Sequence, residues 1–333
     1  MKKIEVRYLS SEEVLQSGLT MKTTIDVTEK VYRAHSEGKA TLGKKTGINM
    51  EPFGRRRDSG LTAMTAFLQA FNVAGLKWIG LNFDNPAKHD LPSHTALIVL
   101  NDAETMVPLA IMEGGWITAM RTGAATAVGA KYLARKDSRV VGILGAGFQS
   151  RFQIRALNEV LQIDKILITD LVKARCEELA RETKAELGLN VITADSPKAI
   201  AEKSDVIVTL TSADAPLIRH QWLRPGTLLC ALTDHSNFDF EVTKNANKII
   251  VDDTYSTMHL GELSKWVDQG LISEKNIYAE IGEVILGQKK GREKKDEQIL
   301  YVPIGMGSLD VATANEVFTL SKKKNLGKLL AFI

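Results

Sequence analysis

Residues 139–155, RVVGILGAGFQSRFQIR, decide the fold of this chain. Their first half is an apolar run that predicts a short buried strand, and their second half is an amphipathic run that predicts a helix. Between the two, Gly145, Gly147 and Ser150 have the spacing of a dinucleotide-binding turn. Gly145 permits a sharp turn, Gly147 lets phosphates approach the backbone, and the small Ser150 lets the helix pack on the strand. The stretch therefore predicts a βαβ unit whose helix N-terminus faces a pyrophosphate.

The next strand pattern, residues 165–170, ends in an acid. Asp170 lies 20 residues after Ser150, where a carboxylate accepts hydrogen bonds from the ribose hydroxyls of adenosine. Because a carboxylate there repels a 2′-phosphate, the cofactor is expected to be NAD rather than NADP. The alternative is that Asp170 only caps the following helix. The expected NAD contacts are the glycine loop, this acid and the polar end of a later strand: Gly145, Ala146, Gly147, Phe148, Gln149, Ser150, Asp170, Thr211 and Ser212.

The composition sets limits on the class of protein. The 333 residues suffice for two domains, and 44% hydrophobic with 25% charged residues is typical of a globular protein. A net charge of +3 gives no reason to expect nucleic acid or a membrane surface as partner. The two cysteines, Cys176 and Cys230, predict neither a disulfide framework nor a metal site. The basic stretch 289–295 is interpreted as a solvated loop, and the default is a cytoplasmic enzyme without a membrane span.

The order of strand and helix patterns predicts two kinds of architecture. Strand patterns between residues 44 and 100 follow one another without intervening helices, which indicates an α+β domain with a mixed or largely antiparallel sheet. From residue 139 onward, strands alternate with helices up to a last clear strand at 249–252. That alternation predicts an α/β fold with a Rossmann-type, doubly wound parallel sheet.

Three charged residues outside the glycine loop are candidates for chemistry. Lys77 lies in a strand pattern with apolar neighbours, so it either faces solvent or is held inside to bind a substrate carboxylate. Arg121 lies near the start of a long helix pattern rich in small residues. It needs a carboxylate partner, either from the protein or from a substrate. Asp234 is the first acid after a Rossmann strand, at the end where ligands bind, although a turn or cap aspartate is the alternative.

Taken together, these stretches resemble one family in their identity and order. LKW with Lys77, LPSHTALIVLND with PLA shortly after it, ITAMRTGAATA with Arg121, GAGFQS and a terminal GMGSLD follow one another as in the ornithine cyclodeaminase/mu-crystallin family. That family includes archaeal-type alanine dehydrogenase, ketimine reductases and related amino-acid dehydrogenases. The resemblance covers roughly residues 26–317.

The resemblance implies a domain organisation. A Rossmann domain, residues 121–308, is inserted in a second domain formed by residues 1–120 and 309–333. The second domain is expected to bind the substrate and to form a homodimer.

The resemblance also implies roles for single residues. Lys77 and Arg121 are expected to hold the substrate carboxylate, with Lys45 standing where the family often has a further arginine. Lys77 and Asp234 are expected to be catalytic. Asp234 matches the position at which an aspartate of the cyclodeaminase branch handles protons at the reacting amine. From the matching blocks, Thr122 and Asp310 are grouped with the cofactor residues.

The predicted function is NAD-dependent conversion of a small amino or imino acid by hydride transfer at the α-carbon, as an amino-acid dehydrogenase or an ornithine cyclodeaminase-like enzyme. Residues 62–69 lack the acid that the cyclodeaminase branch tends to carry for a diamine, which argues against ornithine itself. A ketimine or cyclic-imine reductase is the alternative. A non-catalytic, crystallin-like protein that binds a nucleotide or another ligand is the alternative of a different class.

Overall fold

A computed structural model describes residues 3–53, 59–213, 215–233, 235 and 237–333 of the chain. The chain forms two compact units, the first made of Met1–Arg121 with Met306–Ile333 and the second of Thr122–Gly305. The boundary after Arg121 lies one residue later than the predicted limit, and the boundary before Met306 lies three residues earlier.

The described helices and strands run through both units in chain order. The first unit begins with β1 (Glu5–Leu9), α1 (Ser11–Gln16), α2 (Met21–Ser36), β2 (Ala40–Leu42), β3 (Thr46–Asn49), β4 (Gly60–Leu68), β5 (Val73–Leu81), α3 (Asn85–Lys88), β6 (His94–Asp102), β7 (Pro108–Glu113) and the start of α4 (Gly115–Leu133). The second unit holds β8 (Val140–Leu144), α5 (Phe148–Asn158), β9 (Lys165–Thr169), α6 (Lys173–Leu187), β10 (Val191–Thr193), α7 (Pro197–Lys203), β11 (Val206–Thr209), β12 (Leu228–Ala231), α8 (Phe240–Asn245), β13 (Lys248–Val251), α9 (Thr254–His259), α10 (Ser264–Asp268), β14 (Ala279–Glu280), α11 (Ile281–Ile285) and β15 (Ile299–Val302). The chain returns to the first unit with α12 (Gly307–Lys323) and β16 (Lys328–Ala331).

The first unit is built on a mixed sheet with the strand order β16-β1-β7-β6-β5-β4-β2, and β3 also pairs with β4. Neighbouring strands are antiparallel except for β1 and β7, which are parallel. Helix α12 lies on β4, β5 and β6, and α2 packs on α12. This arrangement confirms the predicted α+β architecture with a mixed sheet.

The second unit is built on a parallel sheet with the order β10-β9-β8-β11-β12-β15-β13-β14. The order reverses beside β8, the strand that precedes the glycine loop, which confirms a doubly wound fold and marks a ligand-binding crevice. After β13, which corresponds to the last clear strand pattern at 249–252, the chain adds β14 and β15 to this sheet. Strand β15 follows and inserts between β12 and β13. This strand is short and comes soon after the basic stretch 289–295, so no helix pattern precedes it in the sequence.

Further local features of the fold concern a helix cap and the two cysteines. Ser10 and Glu13 form a reciprocal capping box at the start of α1. Cys176 and Cys230 are both free and buried. In the part of the chain that the structure describes, every helix is too short or too polar to cross a membrane.

Candidate active site

Lys77 lies on the covered face of the first unit's sheet. Its cross-strand neighbours on that face are Met64, Ile98, Met112 and Leu9, which are all buried. Lys77 is only 1% exposed, so the solvent-facing alternative is wrong. An ammonium group in such an apolar row is costly unless a counter-ion reaches it. The position therefore requires a partner from another element.

The partner comes from α12, in the first turn of that helix. Asp310 is completely buried, and its Oδ2 lies 2.9 Å from Nζ of Lys77. Its place near the helix N-terminus favours a negative charge. Gly307 makes this position possible, because a Cβ there would lie 3.0 Å from the carbonyl oxygen of Met64 on β4. The close approach of α12 to the sheet thus delivers the carboxylate to the lysine.

Two residues one turn apart on α4 complete the cluster. Nε of Arg121 donates a 3.0 Å hydrogen bond to Oδ1 of Asp310, and Oγ1 of Thr118 donates one of 3.2 Å to the same oxygen. Among the described residues, Asp310 is bonded through the Nε edge of the guanidinium, which leaves its terminal nitrogens for a second carboxylate. Arg121 can therefore bind a protein carboxylate and a substrate carboxylate at once, because Asp310 occupies only one edge of its guanidinium group.

The charges of the cluster do not balance. Among the described residues of the cluster, one carboxylate, Asp310, faces two cations, Lys77 and Arg121. Burial, the charge of Arg121 and, to a smaller extent, the charge of Lys45 lower the pKa of Lys77 to about 7, although Asp310 opposes this. Burial alone would raise the pKa of Asp310, but Arg121 and Lys77 hold it below its ordinary value. The site has an excess of positive charge and would be balanced by one carboxylate from a ligand.

The glycine loop of the second unit has the geometry of a pyrophosphate cradle. Gly145 has φ +102°, and a Cβ there would lie 3.0 Å from the carbonyl oxygen of Leu210. Gly147 has extended backbone at the N-cap of α5, and a Cβ there would meet no atom within 4 Å. Ser150 is buried and donates a 2.6 Å hydrogen bond to the carbonyl oxygen of Gly145. The protein thus needs Gly145 for its own fold, whereas the space at Gly147 is open for a ligand.

Asp170 follows β9 beside this loop. Its Oδ2 accepts a 2.7 Å hydrogen bond from the amide of Ala146, and its Oδ1 accepts one of 2.9 Å from the amide of Val172. The carboxylate thus joins the glycine loop to the turn that leads into α6, so it has a structural role as well. Phe148, in the first turn of α5, is 63% exposed. Gln149, between Phe148 and the buried Ser150, is half-buried.

The remaining predicted residues lie at several places. Thr211 and Ser212 follow β11, and Oγ1 of Thr211 donates a 3.3 Å hydrogen bond to Oδ1 of Asn237. Thr122 is the residue of α4 with which the second unit begins. Asp234 lies outside the described residues. Asp310, grouped with the cofactor residues in the sequence, contacts Lys77 and Arg121.

Sequence reasoning missed two residues near these groups. Thr118 precedes Arg121 by three positions on one helix, a spacing that places both on the same face and could have revealed it. Asn237 is completely buried behind Thr211, and no motif in the sequence distinguishes it. Within the described residues, no group of three or more His, Cys, Asp or Glu side chains could hold a metal ion.

Comparison with known proteins identifies the family. The model of the ornithine cyclodeaminase/mu-crystallin family matches residues 5–325. The chain belongs to this family. The resemblance found in the sequence is thereby confirmed, over somewhat more of the chain than the sequence motifs covered.

Relatives at about one-third identity span the whole chain. The alanine dehydrogenase of Archaeoglobus fulgidus is 34% identical over 333 residues, which are 99% of each chain. A solved archaeal alanine dehydrogenase dimer with bound NAD superposes with a TM-score of 0.92 at 34% identity, covering 99% of this chain and 100% of that one. The Δ1-pyrroline-2-carboxylate reductase of Thermococcus litoralis, solved with NADH and L-proline, gives a TM-score of 0.91 at 33% identity and covers 97% and 99%. The two-domain α/β fold predicted from the sequence is that of these family members.

Proposed function

We propose that this chain is an NAD-dependent enzyme that converts a small amino or imino acid by hydride transfer at the α-carbon. The observation that carries the proposal is the buried cluster in which two cations, Lys77 and Arg121, both contact the carboxylate of Asp310. Such a cluster binds the carboxylate that every α-amino and α-imino acid carries. Family relatives that act on alanine and on a cyclic imino acid support the same substrate class.

NAD fits the glycine loop. Open space in front of Gly147 admits a pyrophosphate, and the amides at the start of α5 face it. Asp170 stands where a ribose hydroxyl would donate to its carboxylate. The solved relatives contain NAD or NADH, which supports the same cofactor here. When bound, the nicotinamide accepts or delivers the hydride.

The protein's own groups position the substrate and move its protons. Arg121 and Lys77 fix the carboxylate, and such orientation can lower the barrier by about 7–11 kcal/mol. Asp310 acts as the counter-ion that keeps both cations in place. We assign Asp234 the transfer of a proton at the reacting amine, a general-base role that contributes about 10²–10⁴-fold. Thr122, Thr211 and Ser212 stay predicted cofactor contacts, and Lys45 a predicted substrate contact.

The covered face of the sheet favours a small, uncharged substrate side chain. Beyond the buried row of Lys77, the next residues on that face are Thr62, Ile79 and Ala96, which are half-buried. None of them is acidic, so the second amino group of a diamine would find no partner there. This observation favours alanine-like amino acids or cyclic imino acids over ornithine.

A substrate panel tests the proposal. Reduction of NAD, followed by absorbance, is expected with L-alanine or L-proline, and oxidation of NADH with pyruvate plus ammonia or with a cyclic imine. Turnover only of the cyclic imine would select the ketimine reductase, and proline formed from ornithine would select the cyclodeaminase. Binding of NAD without turnover of any substrate would contradict the proposal and favour the alternative of a non-catalytic protein that binds a nucleotide or another ligand.

Asp234→Asn should lower kcat at least 100-fold with unchanged NAD affinity, and an unchanged kcat would remove Asp234 from the site.

We further propose that the chain forms a homodimer in the cytoplasm. The sheet face of the first unit opposite α12 carries Tyr8, Phe67 and Leu97, each about 40% exposed within one chain. An apolar face of this kind is typical of a subunit interface, and the archaeal alanine dehydrogenase is a dimer. Light scattering after size exclusion should give twice the mass of the chain, and Leu97→Glu should reduce it. The mass of a single chain for the unaltered protein would contradict the dimer.

A further inference from the structure

A buried carboxylate of the second unit has no part in the proposed chemistry. Glu262 lies in the turn between α9 and α10 and is completely buried. Its Oε1 accepts a 2.9 Å hydrogen bond from the amide of Phe238. Its Oε2 has no hydrogen-bond partner among the described residues. Burying a carboxyl oxygen without such a partner is energetically unfavourable, so the position of Glu262 requires an explanation.

The amide that donates to Glu262 belongs to Phe238, which together with Asn237 forms a segment that joins two loops. The Asn237 carbonyl accepts hydrogen bonds of 2.9 and 3.0 Å from the amides of Leu217 and Ile218. Its side-chain amide donates a 3.0 Å hydrogen bond to the carbonyl oxygen of Ala213, and its Oδ1 accepts from Thr211. Residues 237 and 238 thereby connect the loop after β11 with the loop after β12. These loops follow the carboxyl ends of neighbouring strands in the doubly wound sheet.

We propose that Glu262 is a positioning residue that holds the loops after β11 and β12 in the arrangement needed for hydride transfer, through its hydrogen bond to the Asn237–Phe238 segment. The inference rests on the proposed function, because Thr211 is expected on the nicotinamide side. Asp234 precedes Asn237 by only three residues in the chain. A shift of the segment would therefore be passed to both ends of the reacting site.

The protonation state of Glu262 decides how well the segment is held. Burial raises the pKa of this carboxyl to about 8, although the hydrogen bonds from backbone amides and the charge of Lys265 act to lower it. The charged and titratable groups on the neighbouring described segments are Asp253 at the N-cap of α9, Tyr255 and His259 on α9, Lys265 and Asp268 on α10, and His235 and Asp239 on the loop. Among the described residues, Lys265 comes closest, with Nζ 3.7 Å from Oε1. Ionisation above the pKa leaves Oε2 as a bare buried charge, which draws Lys265 inward and strains the turn.

Lys265 offers a reporter that does not depend on activity. Its Nζ lies 4.4 Å from the centroid of the Trp266 ring. When Glu262 ionises, Lys265 should leave this ring, so the fluorescence of Trp266 should titrate with a midpoint near pH 8. Glu262→Gln should abolish the titration, and Trp266→Phe identifies the signal among the four tryptophans.

The kinetic experiment uses the full-length enzyme and its best substrate. The kcat should fall above pH 8, by up to about tenfold per pH unit, because the ionised form misplaces the loops. Glu262→Gln should remove this fall of kcat at alkaline pH. Lys265→Met should shift the fall to higher pH, because the carboxyl loses its counter-charge. Glu262→Ala, which loses the acceptor, should lower kcat at least tenfold with NAD affinity within threefold of the unaltered enzyme.

Glu297→Gln is the matched control. That carboxylate is also buried and accepts hydrogen bonds from the amides of Glu293 and Lys294, but it lies before the amino end of β15, whereas the loops after β11 and β12 follow the carboxyl ends of their strands. Glu297→Gln should leave kcat and its fall at alkaline pH unaltered. Equal effects of Glu297→Gln and Glu262→Gln, or an unaltered alkaline fall in Glu262→Gln, would overturn the proposal. If no substrate is converted, only the proposed function is contradicted. The fluorescence titration then tests the inference about Glu262 separately. A flat titration in the unaltered protein overturns the inference, and one abolished by Glu262→Gln supports it.

Discussion

Nζ of Lys77 lies 2.9 Å from Oδ2 of Asp310, in a site where both side chains are almost completely buried. The pair joins the central strand β5 to the first turn of α12, which lie more than 200 positions apart in the chain. Arg121 adds a second cation on the other carboxylate oxygen. The excess of positive charge over negative charge in this cluster determines what each substitution should do.

Removing the two partners should have opposite effects on stability. Asp310→Asn leaves Lys77 and Arg121 buried against each other, and we expect it to lower the free energy of unfolding by about 3–5 kcal/mol. Lys77→Met leaves one cation facing one carboxylate, and we expect stability to be unchanged or increased although turnover is lost. Urea unfolding at pH 7 measures both. A larger loss for Lys77→Met than for Asp310→Asn would contradict the charge balance described here.

The affinity for the substrate carboxylate should depend on pH through Lys77. Without ligand its pKa is about 7, and a bound carboxylate favours the charged form, so binding above pH 7 takes up a proton. The dissociation constant of a carboxylate inhibitor should therefore rise by up to about tenfold per pH unit above 7 and be nearly constant below it. Calorimetry in buffers of different ionisation enthalpy measures the proton uptake. Lys77→Met should bind weakly at every pH, and an unaltered slope in that variant would assign the titration to another group.

The same pKa has a consequence for stability with a definite sign. In the folded chain the pKa of Lys77 is lowered from 10.5 to about 7, so the unfolded chain binds more protons between these pH values. The contribution of Lys77 to the free energy of unfolding should therefore increase with pH in this window, with a slope of up to about 1.4 kcal/mol per pH unit. Lys77→Met should remove that slope. A slope common to both proteins would come from other groups.

The sequence predicted most of the fold because its signals are local. The glycine turn, the acid after β9 and the alternation of strands and helices lie within short stretches, and they sufficed for the doubly wound sheet. Strand β15 escaped because it is short and its position between β12 and β13 depends on distant strands. For the same reason the sequence named Lys77, Arg121 and Asp310 but not their mutual contacts.

Asp170 should determine the choice between NAD and NADP. Asp170→Asn removes the negative charge and keeps one of the two acceptor oxygens, so the side chain can still accept from only one of the amides of Ala146 and Val172. We expect the KM for NAD to rise and the preference for NAD over NADP to fall by at least tenfold, because a 2′-phosphate is no longer repelled. Steady-state kinetics with both cofactors gives the ratio. If the ratio is unaltered and only the melting temperature falls, Asp170 has the structural role alone.

The two glycines of the loop should separate folding from cofactor binding. At Gly147 a Cβ meets no protein atom within 4 Å, so Gly147→Ala should fold with nearly unaltered stability but obstruct the pyrophosphate. At Gly145 the φ of +102° is strained for any other residue, and the carbonyl oxygen of Leu210 lies 3.0 Å from the Cβ position. Gly145→Ala should therefore cost about 1–3 kcal/mol of stability. Thermal unfolding with and without NAD measures both effects: Gly147→Ala should melt as the unaltered protein does without NAD, and should lose most of the stabilisation that NAD confers. Full stabilisation by NAD in Gly147→Ala would show that the phosphates do not approach this position.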